Sequence, residues 1–300
     1  MLRQLQTDGR LGTGLLAVLI LGMIVSFATA DIAIMDQDGV DVTPQKFAVL
    51  IGIDRYQNLP NLQYCGSDTT ALKKTLLAGG FREKNIFLMT DDAERINLLP
   101  TGENIRRILA TLEEHARAND MIFFFFSGHS GTIDGVPTLM ASDSVGTKDD
   151  QLTGLKVQEI LDTLGRCQAK TRLVVIDSCL DDQIGSNPGD KSNELTLPNN
   201  TALFLAAKPG FRAYESPELQ GSWFTHYIIR GLQGQADNNG DENGIVDLTE
   251  LFHYVKTQLA GVKEFKMAPW LIVNGNLFDL GIVHCTYNEG KRCCHPYIRH

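Results

Sequence analysis

Two short apolar runs that each end in a reactive side chain constrain this chain more than any other feature. TRLVVIDSC, residues 171–179, ends in the thiol of Cys179, and MIFFFFSGHS, residues 121–130, delivers His129 near its own end. Both runs are rich in β-branched or aromatic residues, which is typical of buried parallel strands. Open α/β sheets place their chemistry at the carboxyl ends of such strands. If the two strands are neighbours, the thiol and the imidazole face one crevice.

Strand-like and helix-like segments alternate along most of the chain. Further strands are predicted at residues 46–53, 85–90, 138–141, 201–207 and 270–275. Helices are predicted from an N-cap at Ser67 or Asp68 to Gly79, from the cap Thr101 to Ala118, and over residues 156–165, 222–232 and 250–259. The alternation predicts an α/β fold with right-handed crossovers and a mostly parallel sheet that has helices on both faces. We expect one domain over residues 44–282 and a tail over residues 283–300.

Residues 1–30 predict an export signal. Arg3 and Arg10 precede an uncharged stretch over residues 11–30, which ends in Ala28, Thr29 and Ala30. A basic start, an apolar centre and a small-residue end are typical of a cleaved signal peptide. The alternative is an uncleaved signal anchor, because about twenty uncharged residues are enough to cross a bilayer. The body is then secreted or periplasmic in the first case, and membrane-anchored outside the cytosol in the second.

Charge argues against one class of partner. The chain carries 27 Lys and Arg against 36 Asp and Glu, for a formal net charge of −9. Nucleic-acid-binding proteins concentrate basic residues on one face, so we expect no nucleic-acid partner. An acidic cleft would instead attract cationic substrates. The sequence does not indicate an oligomeric state.

Three of the six cysteines lie in the predicted domain and three in the predicted tail, and in chain order they are Cys65, Cys167, Cys179, Cys285, Cys293 and Cys294. In an exported protein the default is a disulfide. We expect disulfides within the tail or between the tail and the body, and a reduced Cys179. A metal site in the tail, which also contains histidines, is the alternative, although the tail has no CxxC pair with zinc-finger spacing.

A thiol beside an imidazole suits nucleophilic catalysis. A free thiol has a pKa of about 8.5, and a histidine within hydrogen-bond reach accepts its proton and later protonates a leaving amine. The backbone amides of Ser130 and Cys179 are the expected donors to an oxyanion, because the glycines around His129 allow a carbonyl group to approach. The alternative is that Cys179 is a buried structural thiol and His129 an ordinary loop histidine.

Five segments resemble the caspase-like peptidases, the clan of caspases and metacaspases, in the order in which that family has them. They are KFAVLIGIDRY, LQYCGSDTTAL, FSGHS with VIDSC, LAAKPGFRAYES, and SWFTHYIIRGLQGQAD. The resemblance covers nearly the whole body of the chain. It implies a caspase-hemoglobinase fold with a sheet of about six strands. It also implies cleavage of peptide bonds by His129 and Cys179, with no required cofactor.

The resemblance is closer to metacaspases, which choose Arg or Lys before the scissile bond through acidic residues. The chain matches their pattern at Cys65 and Asp68 in YCGSD, at Ser127 in SGH and at Asp177 in DSC. Two carboxylates at the base of a pocket suit a guanidinium or ammonium group. The resemblance thus implies a polypeptide substrate with a basic P1 residue. The alternative is that Asp68 only caps its helix and that Asp177 only ends its strand.

Two positions depart from the family pattern. The nucleophile is commonly followed by His-Ser-Gly, whereas here Leu180, Asp181 and Asp182 follow Cys179. The family's SGHG is SGHS in this chain, with Ser130 in place of glycine. Neither change removes a reacting group, but the first alters the loop that shapes the site. A catalytically inactive binding or regulatory module is therefore the alternative function.

The segment NGDENGIVDLTE matches the ligand spacing of a calcium-binding EF-hand loop. It has Gly244 at the sixth position, and its oxygen-bearing side chains are Asn239, Asp241, Asn243, Asp247 and Glu250. An ordinary Asp/Asn-Gly loop explains the same residues. A second and looser resemblance, to the acidic cluster through which calcium activates some metacaspases, involves Asp143, Asp149, Asp150 and Asp182. Calcium is thus a candidate ligand, and an exported calcium-binding protein is the second alternative function.

Overall fold

The computed structural model describes residues 43–133, 136–145, 153–179, 195–208, 211–288 and 291–293. Its strands, numbered in chain order, are β1 (Lys46–Gly52), β2 (Ile86–Thr90), β3 (Met121–Ser127), β4 (Ser130–Ile133), β5 (Val136–Leu139), β6 (Leu155–Lys156), β7 (Thr171–Asp177), β8 (Thr201–Leu205), β9 (Glu215–Ser216), β10 (Gly221–Ser222), β11 (Ile245–Asp247), β12 (Trp270–Asn274), β13 (Gly281–His284), β14 (Thr286–Asn288) and β15 (Lys291–Cys293). Its α-helices are α1 (Cys65–Ala78), α2 (Gly102–His115), α3 (Val157–Arg166), α4 (Trp223–Arg230), α5 (Ala236–Asn238) and α6 (Leu248–Ala260). Short 3-10 turns at Glu83–Asn85 and Ile96–Leu98 and a π-helical turn at Gly231–Gln235 accompany them.

A central sheet of six strands has the order β12-β8-β7-β3-β1-β2. Five neighbouring strands are parallel, namely β8, β7, β3, β1 and β2. The edge strand β12 runs antiparallel to β8. In chain order, β2 is added on one side of β1, and β3, β7 and β8 are added on the other side. The carboxyl ends of the parallel strands β1, β3 and β7 therefore lie at the same end of the sheet. The predicted α/β fold with a six-stranded, mostly parallel sheet is confirmed.

Each face of this sheet carries its own hydrophobic core, and β3 shows why. Side chains alternate between the two faces of a strand. Phe124 and Phe126 belong to the core that includes α2 and α3, whereas Phe123 and Phe125 belong to the core that includes α1, α4 and α6. All four phenylalanines have an exposed fraction of 0%. The uninterrupted apolar run therefore reflects a strand that is covered on both sides.

Helix α1 begins earlier than the sequence predicted, and its N-cap is different. Tyr64 is the N-cap residue, so the prediction of Asp68 or Ser67 is wrong. The reason is that the cap comes from outside the helix: the carboxylate of Asp54 accepts hydrogen bonds from the first two helical amides at 2.8 and 3.0 Å. The Asp68 carboxylate is consequently available for a contact elsewhere in the fold.

The other helix boundaries shift by a few residues. Thr101 caps α2 as predicted, since its hydroxyl oxygen accepts a backbone N–H of the first turn, but the helix ends at His115 rather than Ala118. Helix α6 starts before the predicted Glu250 because Asp247 is its N-cap. Asp247 and Glu250 form a capping box, in which each side chain accepts the backbone N–H of the other residue.

Several predictions concern residues outside the described ranges. They are the export signal at residues 1–30, the turn at residues 180–182, the acidic residues Asp149 and Asp150, and the disulfides that involve Cys294. The backbone of Cys293 ends β15, but its side chain is not described, so its disulfide is also untested. These stay predictions, as does the domain boundary at residue 282. None of the described helices combines the length and apolarity that a membrane span requires.

Candidate active site

The ends of β3 and β7 bring His129 and Cys179 to one pocket. Ser127 lies opposite Asp177 in the parallel ladder between the two strands, so both segments leave the sheet at the same level. The two side chains line a pocket of about 300 Å³ together with residues from the ends of these strands. The neighbouring strands and shared crevice expected from the two apolar runs are therefore present.

The contacts of His129 determine which ring nitrogen carries the proton. Nε2 lies 2.8 Å from the carbonyl oxygen of Pro60. Because a carbonyl oxygen only accepts, Nε2 donates, and in the neutral ring the lone pair is on Nδ1. Nδ1 is thus the nitrogen that can accept a proton from a thiol.

The cysteine thiols differ in accessibility. Cys179 is exposed, and its Sγ donates to the carbonyl oxygen of Ala213 at 3.5 Å. Cys65 and Cys167 are only 4% and 2% exposed, and burial raises the pKa of both thiols. A nucleophilic thiol must be reached by the substrate and must lose its proton. Cys179 is the better placed of these three, and the alternative of a buried structural thiol does not apply to it.

Ser130 contributes both its main chain and its side chain to the site. The N–H of Met140 donates to the carbonyl of His129 at 2.9 Å, so the next pair in the β4–β5 ladder, Ser130 with Leu139, is a non-hydrogen-bonded pair. The amide of Ser130 therefore points away from β5. Its hydroxyl donates to the carbonyl oxygen of Cys179 at 2.8 Å. The expected oxyanion roles of the Ser130 and Cys179 amides stay predictions.

Of the four residues expected to read a basic side chain, three line the pocket and the fourth contacts a lining residue. Cys65, Ser127 and Asp177 line the pocket, and the Asp68 carboxylate accepts the backbone N–H of Ser222, another lining residue, at 2.7 Å. Each of the four is less than a tenth exposed, at 4%, 3%, 5% and 8% in that order. Asp68 does not cap its helix, so that alternative is wrong.

Burial has the largest effect on the pKa values of Asp68 and Asp177. It raises the pKa of Asp68 to about 8, against the opposing effect of the hydrogen bond from Ser222. Burial also raises the pKa of Asp177, although Thr225 donates to this carboxylate at 2.5 Å. The charge of nearby Glu215 raises both pKa values further. A cation in the pocket would lower them again, because it favours the ionised carboxylates.

Glu215 is a pocket residue that the sequence reasoning did not assign. The β9–β10 hairpin places it opposite Ser222, and its Oε1 lies 3.8 Å from Sγ of Cys65. Its segment, AYES, was recognised only as part of the family resemblance, because it lies too far along the chain from either strand end for spacing to assign it. Among the described residues that line the pocket, none is a lysine or arginine. The pocket is therefore acidic.

Tyr56 is the second residue of the site that was not assigned from the sequence. Its hydroxyl oxygen accepts the backbone N–H of His129 at 2.8 Å, and the two rings have centroids 4.8 Å apart. No residue type or spacing in IDRYQN signals this contact. It arises because the loop after β1 folds over the end of β3.

The comparison with protein families agrees with this geometry. The family model of the caspase domain matches residues 45–279. The chain belongs to the caspase-domain peptidase family. The predicted resemblance is confirmed, and the predicted enzyme class, a cysteine peptidase, is the class of this family.

Metacaspases are among the sequence relatives of this caspase-domain chain. It is 32% identical over 153 residues to metacaspase-9 of Arabidopsis thaliana, which covers 48% of the chain and 45% of that protein. It is 28% identical over 188 residues to metacaspase-4 of the same plant, which covers 59% of the chain and 44% of that protein. The matches thus span less than half the length of these relatives.

A solved caspase structure supports the fold. The crystal structure of caspase-1 from Spodoptera frugiperda matches with a TM-score of 0.54 and 15% sequence identity, covering 78% of this chain and 88% of that one. At this identity the likeness concerns the fold alone, and it agrees with the six-stranded sheet.

The EF-hand-like segment of this caspase-domain chain is held by its own hydrogen bonds. Both oxygens of Glu250 accept backbone N–H groups, from Asp241 at 3.0 Å and from Asp247 at 3.1 Å. Asp247 in turn accepts the N–H of Glu250 at 2.8 Å. The side-chain amide of Asn243 donates to Asp241 at 2.7 Å, and that of Asn239 to the carbonyl of residue 235 at 2.6 Å. The five predicted ligands thus have local structural roles.

Three acids of this region do come together, but they are not the predicted set. Asp237, Asp241 and Glu250 each place one carboxylate oxygen within 4.8 Å of the others. Carboxylate oxygens suit calcium, although those of Glu250 already bind the main chain. In the looser cluster, Asp143 accepts the N–H of Gly102 at 2.8 Å and so stabilises the start of α2. Calcium binding stays a prediction.

Proposed function

We propose that this chain is a cysteine endopeptidase that cleaves polypeptides after Arg or Lys. The supporting observation is the acidic pocket beside Cys179, which contains Asp177 and Glu215 and is backed by Asp68. A guanidinium or ammonium group would pair with these carboxylates, whereas an aspartate side chain would be repelled by them. Family membership supports the reaction type, and the pocket supports the choice of side chain.

The residues at the ends of β3 and β7 have different parts in the proposed reaction. Nδ1 of His129 takes the proton of the Cys179 thiol, and the thiolate sulfur attacks the carbonyl carbon of the scissile bond. The negative charge that develops on the carbonyl oxygen is stabilised by the amides of Ser130 and Cys179. The C–N bond then breaks, the imidazolium protonates the departing amine, and a thioester remains on Cys179. Water, deprotonated by His129, hydrolyses the thioester and restores the thiol.

Residues 213–215, next to the Cys179 thiol, provide an edge along which an extended peptide can lie. The N–H of Trp223 donates to the carbonyl of Tyr214 at 3.1 Å, so the neighbouring pair of Glu215 and Ser222 is a non-hydrogen-bonded pair. The main-chain groups of Glu215 therefore point away from β10. The carbonyl of Ala213 also points away from β10, because it accepts the hydrogen bond of the Cys179 thiol. A substrate that adds to this edge as a strand would bring its carbonyl group to the thiol.

Cleavage of reporter peptides tests the proposal. The purified full-length chain is assayed with and without calcium and reductant, on peptides that end in Arg, Lys, citrulline or Asp before the leaving group. We expect cleavage after Arg and Lys and very little after Asp. Cys179→Ala and His129→Ala should abolish it, whereas Cys167→Ala and His253→Ala, which alter a thiol and an imidazole outside the pocket, should retain it. Equal activity of wild type and Cys179→Ala would instead support the catalytically inactive binding module.

We also propose export, from the basic, apolar and small-residue pattern of residues 1–30. The body would then lie outside the cytosol, with the membrane as a partner only if the segment is uncleaved. N-terminal sequencing of the protein recovered from the medium, periplasm and membrane fractions distinguishes the two cases. Recovery in the cytosolic fraction with residue 1 intact would contradict export.

A further inference from the structure

We infer that Tyr56 is a positioning residue for His129 and acts through its hydroxyl group. The inference deepens the proposed function and rests on it, because it assigns His129 the part of base. It goes beyond the dyad and its pocket, since Tyr56 is not among the described residues that line the pocket.

One loop, residues 54–62, holds His129 at three points. The Tyr56 hydroxyl accepts the main-chain N–H of His129 at 2.8 Å. The carbonyl of Pro60 accepts from Nε2 at 2.8 Å. Between these two contacts the tyrosine ring lies against the imidazole, with centroids 4.8 Å apart and planes at 48°. The backbone, the ring face and the distal nitrogen are thus all fixed, which leaves Nδ1 as the nitrogen directed elsewhere.

The loop is itself anchored, so its hold on the histidine is firm. The carboxylate of Asp91 accepts the backbone N–H groups of Asp54 and Arg55 at 2.7 and 3.0 Å. Asn61 accepts the N–H of Tyr56 at 3.0 Å through its side chain. Tyr56 is 8% exposed and belongs to the core on one face of the sheet. A group that must be held within about half an ångström for catalysis benefits from such support.

The contact between the Tyr56 hydroxyl and His129 also explains why the preceding residue, Gly128, is a glycine. A Cβ atom built on Gly128 would lie 2.5 Å from the hydroxyl oxygen of Tyr56. A larger residue there would displace either the phenol or the main chain of His129. Burial raises the pKa of Tyr56 well above its usual range, so the phenol stays neutral at every pH at which the enzyme is assayed.

The test removes the hydroxyl and keeps the ring. Tyr56→Phe leaves the His129 N–H without its acceptor, and we expect kcat for the Arg reporter to fall about ten-fold while KM stays within about two-fold. We also measure the rate at which iodoacetamide alkylates Cys179 at different pH values, by peptide mass spectrometry. The pH dependence of this rate should shift towards that of a thiol without a neighbouring base. A purely structural role would lower the melting temperature without moving this pH profile.

Tyr64→Phe is the matched control, because Tyr64 follows the same loop and is the N-cap residue of α1. It should behave as wild type in both measurements. A double-mutant cycle with Gly128→Ala adds an independent reading: the added methyl should cost more activity in the wild-type background than in the Tyr56→Phe background. If Tyr56→Phe is poorly folded at the assay temperature, Gly128→Ala is measured alone, because its added methyl displaces the Tyr56 hydroxyl; it should then lower kcat and shift the alkylation profile.

The inference is overturned if Tyr56→Phe matches wild type and Tyr64→Phe in kcat and in the alkylation profile. It is also overturned if KM rises as much as kcat falls, which would indicate a distorted substrate cleft. Failure of the proposed function gives a different result. In that case wild type cleaves no reporter, and the alkylation profile alone still reports whether the Tyr56 hydroxyl influences Cys179 through His129.

Discussion

The hydroxyl of Ser130 donates a 2.8 Å hydrogen bond to the main-chain carbonyl of Cys179. The bond links the loop that carries the imidazole to the loop that carries the thiol, immediately past the ends of β3 and β7. In the family pattern a glycine commonly stands at this position, and a glycine cannot make the bond. Ser130, at a position where the resemblance implies glycine, therefore supplies a side-chain contact that a glycine would lack.

Removal of this contact should loosen the dyad. Ser130→Ala is expected to lower kcat about three- to ten-fold with little change in KM, because one hydrogen bond contributes about 0.5–1.5 kcal/mol. Ser130→Thr should retain most of the activity. Ser67→Ala is the control, since Ser67 also donates its hydroxyl to a main-chain carbonyl, that of Tyr64, outside the pocket. Steady-state kinetics on the Arg reporter check the prediction, and equal kcat values for Ser130→Ala and wild type would contradict it.

The acidic pocket predicts a charge-specific loss when a carboxylate is neutralised. Asp177→Asn retains an acceptor for the Thr225 hydroxyl, and Glu215→Gln retains the side-chain length. Each should lower kcat/KM for the Arg peptide about ten- to one-hundred-fold, because a hydrogen bond to a charged group contributes about 1.5–3 kcal/mol. Cleavage of the citrulline peptide, which has the same shape without the charge, should change little. A parallel loss on both peptides would mean that the variants disturb the fold and not the recognition of charge.

The pKa of Asp68 predicts a pH dependence of substrate capture. Its pKa of about 8 means that the carboxyl group is largely protonated in the free enzyme at neutral pH. The negative charge behind the pocket therefore grows as pH rises through 8, and kcat/KM for the Arg peptide should rise with it, since this ratio reports groups of the free enzyme. The rise should be smaller in Asp68→Asn than in wild type between pH 6 and pH 9.5, because only the contribution of Asp68 is removed. An identical profile in both proteins would contradict the assignment.

The same shift predicts how Asp68 affects stability. Its folded-state pKa is raised from the ordinary value of 3.8 to about 8, so the folded state binds the proton more tightly than the unfolded state does. The stability that this proton contributes is fully present below about pH 4 and is lost as pH rises through 8. Melting temperatures of Asp68→Asn minus wild type should therefore increase from pH 5 to pH 9. A constant difference would show that the side chain does not change its protonation on unfolding.

The capping box at α6 and a calcium site predict different results for one pair of variants. Asp247→Ala removes an N-cap and should cost about 0.5–2 kcal/mol of the free energy of unfolding, equally with calcium and with EDTA. If calcium binds at Asp241 and Glu250, calcium should raise the melting temperature of wild type and not that of Asp241→Asn. Denaturant unfolding and calorimetry with calcium check both. A destabilisation by Asp247→Ala that appears only with calcium would contradict the capping role.

The fold and the meeting of His129 and Cys179 in one pocket were predictable because strand signals are local. Four consecutive phenylalanines indicate a strand buried on both faces, and the residues after such a strand must lie at the sheet edge. The cap of α1 was not predictable, since Asp54 reaches it from the preceding loop. Glu215 and Tyr56 were missed for the same physical reason. Each enters the site from a separate segment, through a hairpin or a loop whose path depends on tertiary contacts rather than on its own composition.

Covalent capture of the Cys179 thiol by an arginine-based inhibitor tests the proposed nucleophile and the proposed choice of side chain together. The full-length protein is treated with a peptidyl acyloxymethyl ketone that ends in Arg, and with the matched compound that ends in Asp, and the modified residue is mapped by mass spectrometry. We expect the Arg compound to modify Cys179 much faster than the Asp compound, and Asp177→Asn to narrow the difference between the two rates. Equal rates for the two compounds, or no modification of Cys179 by either, would contradict the proposal.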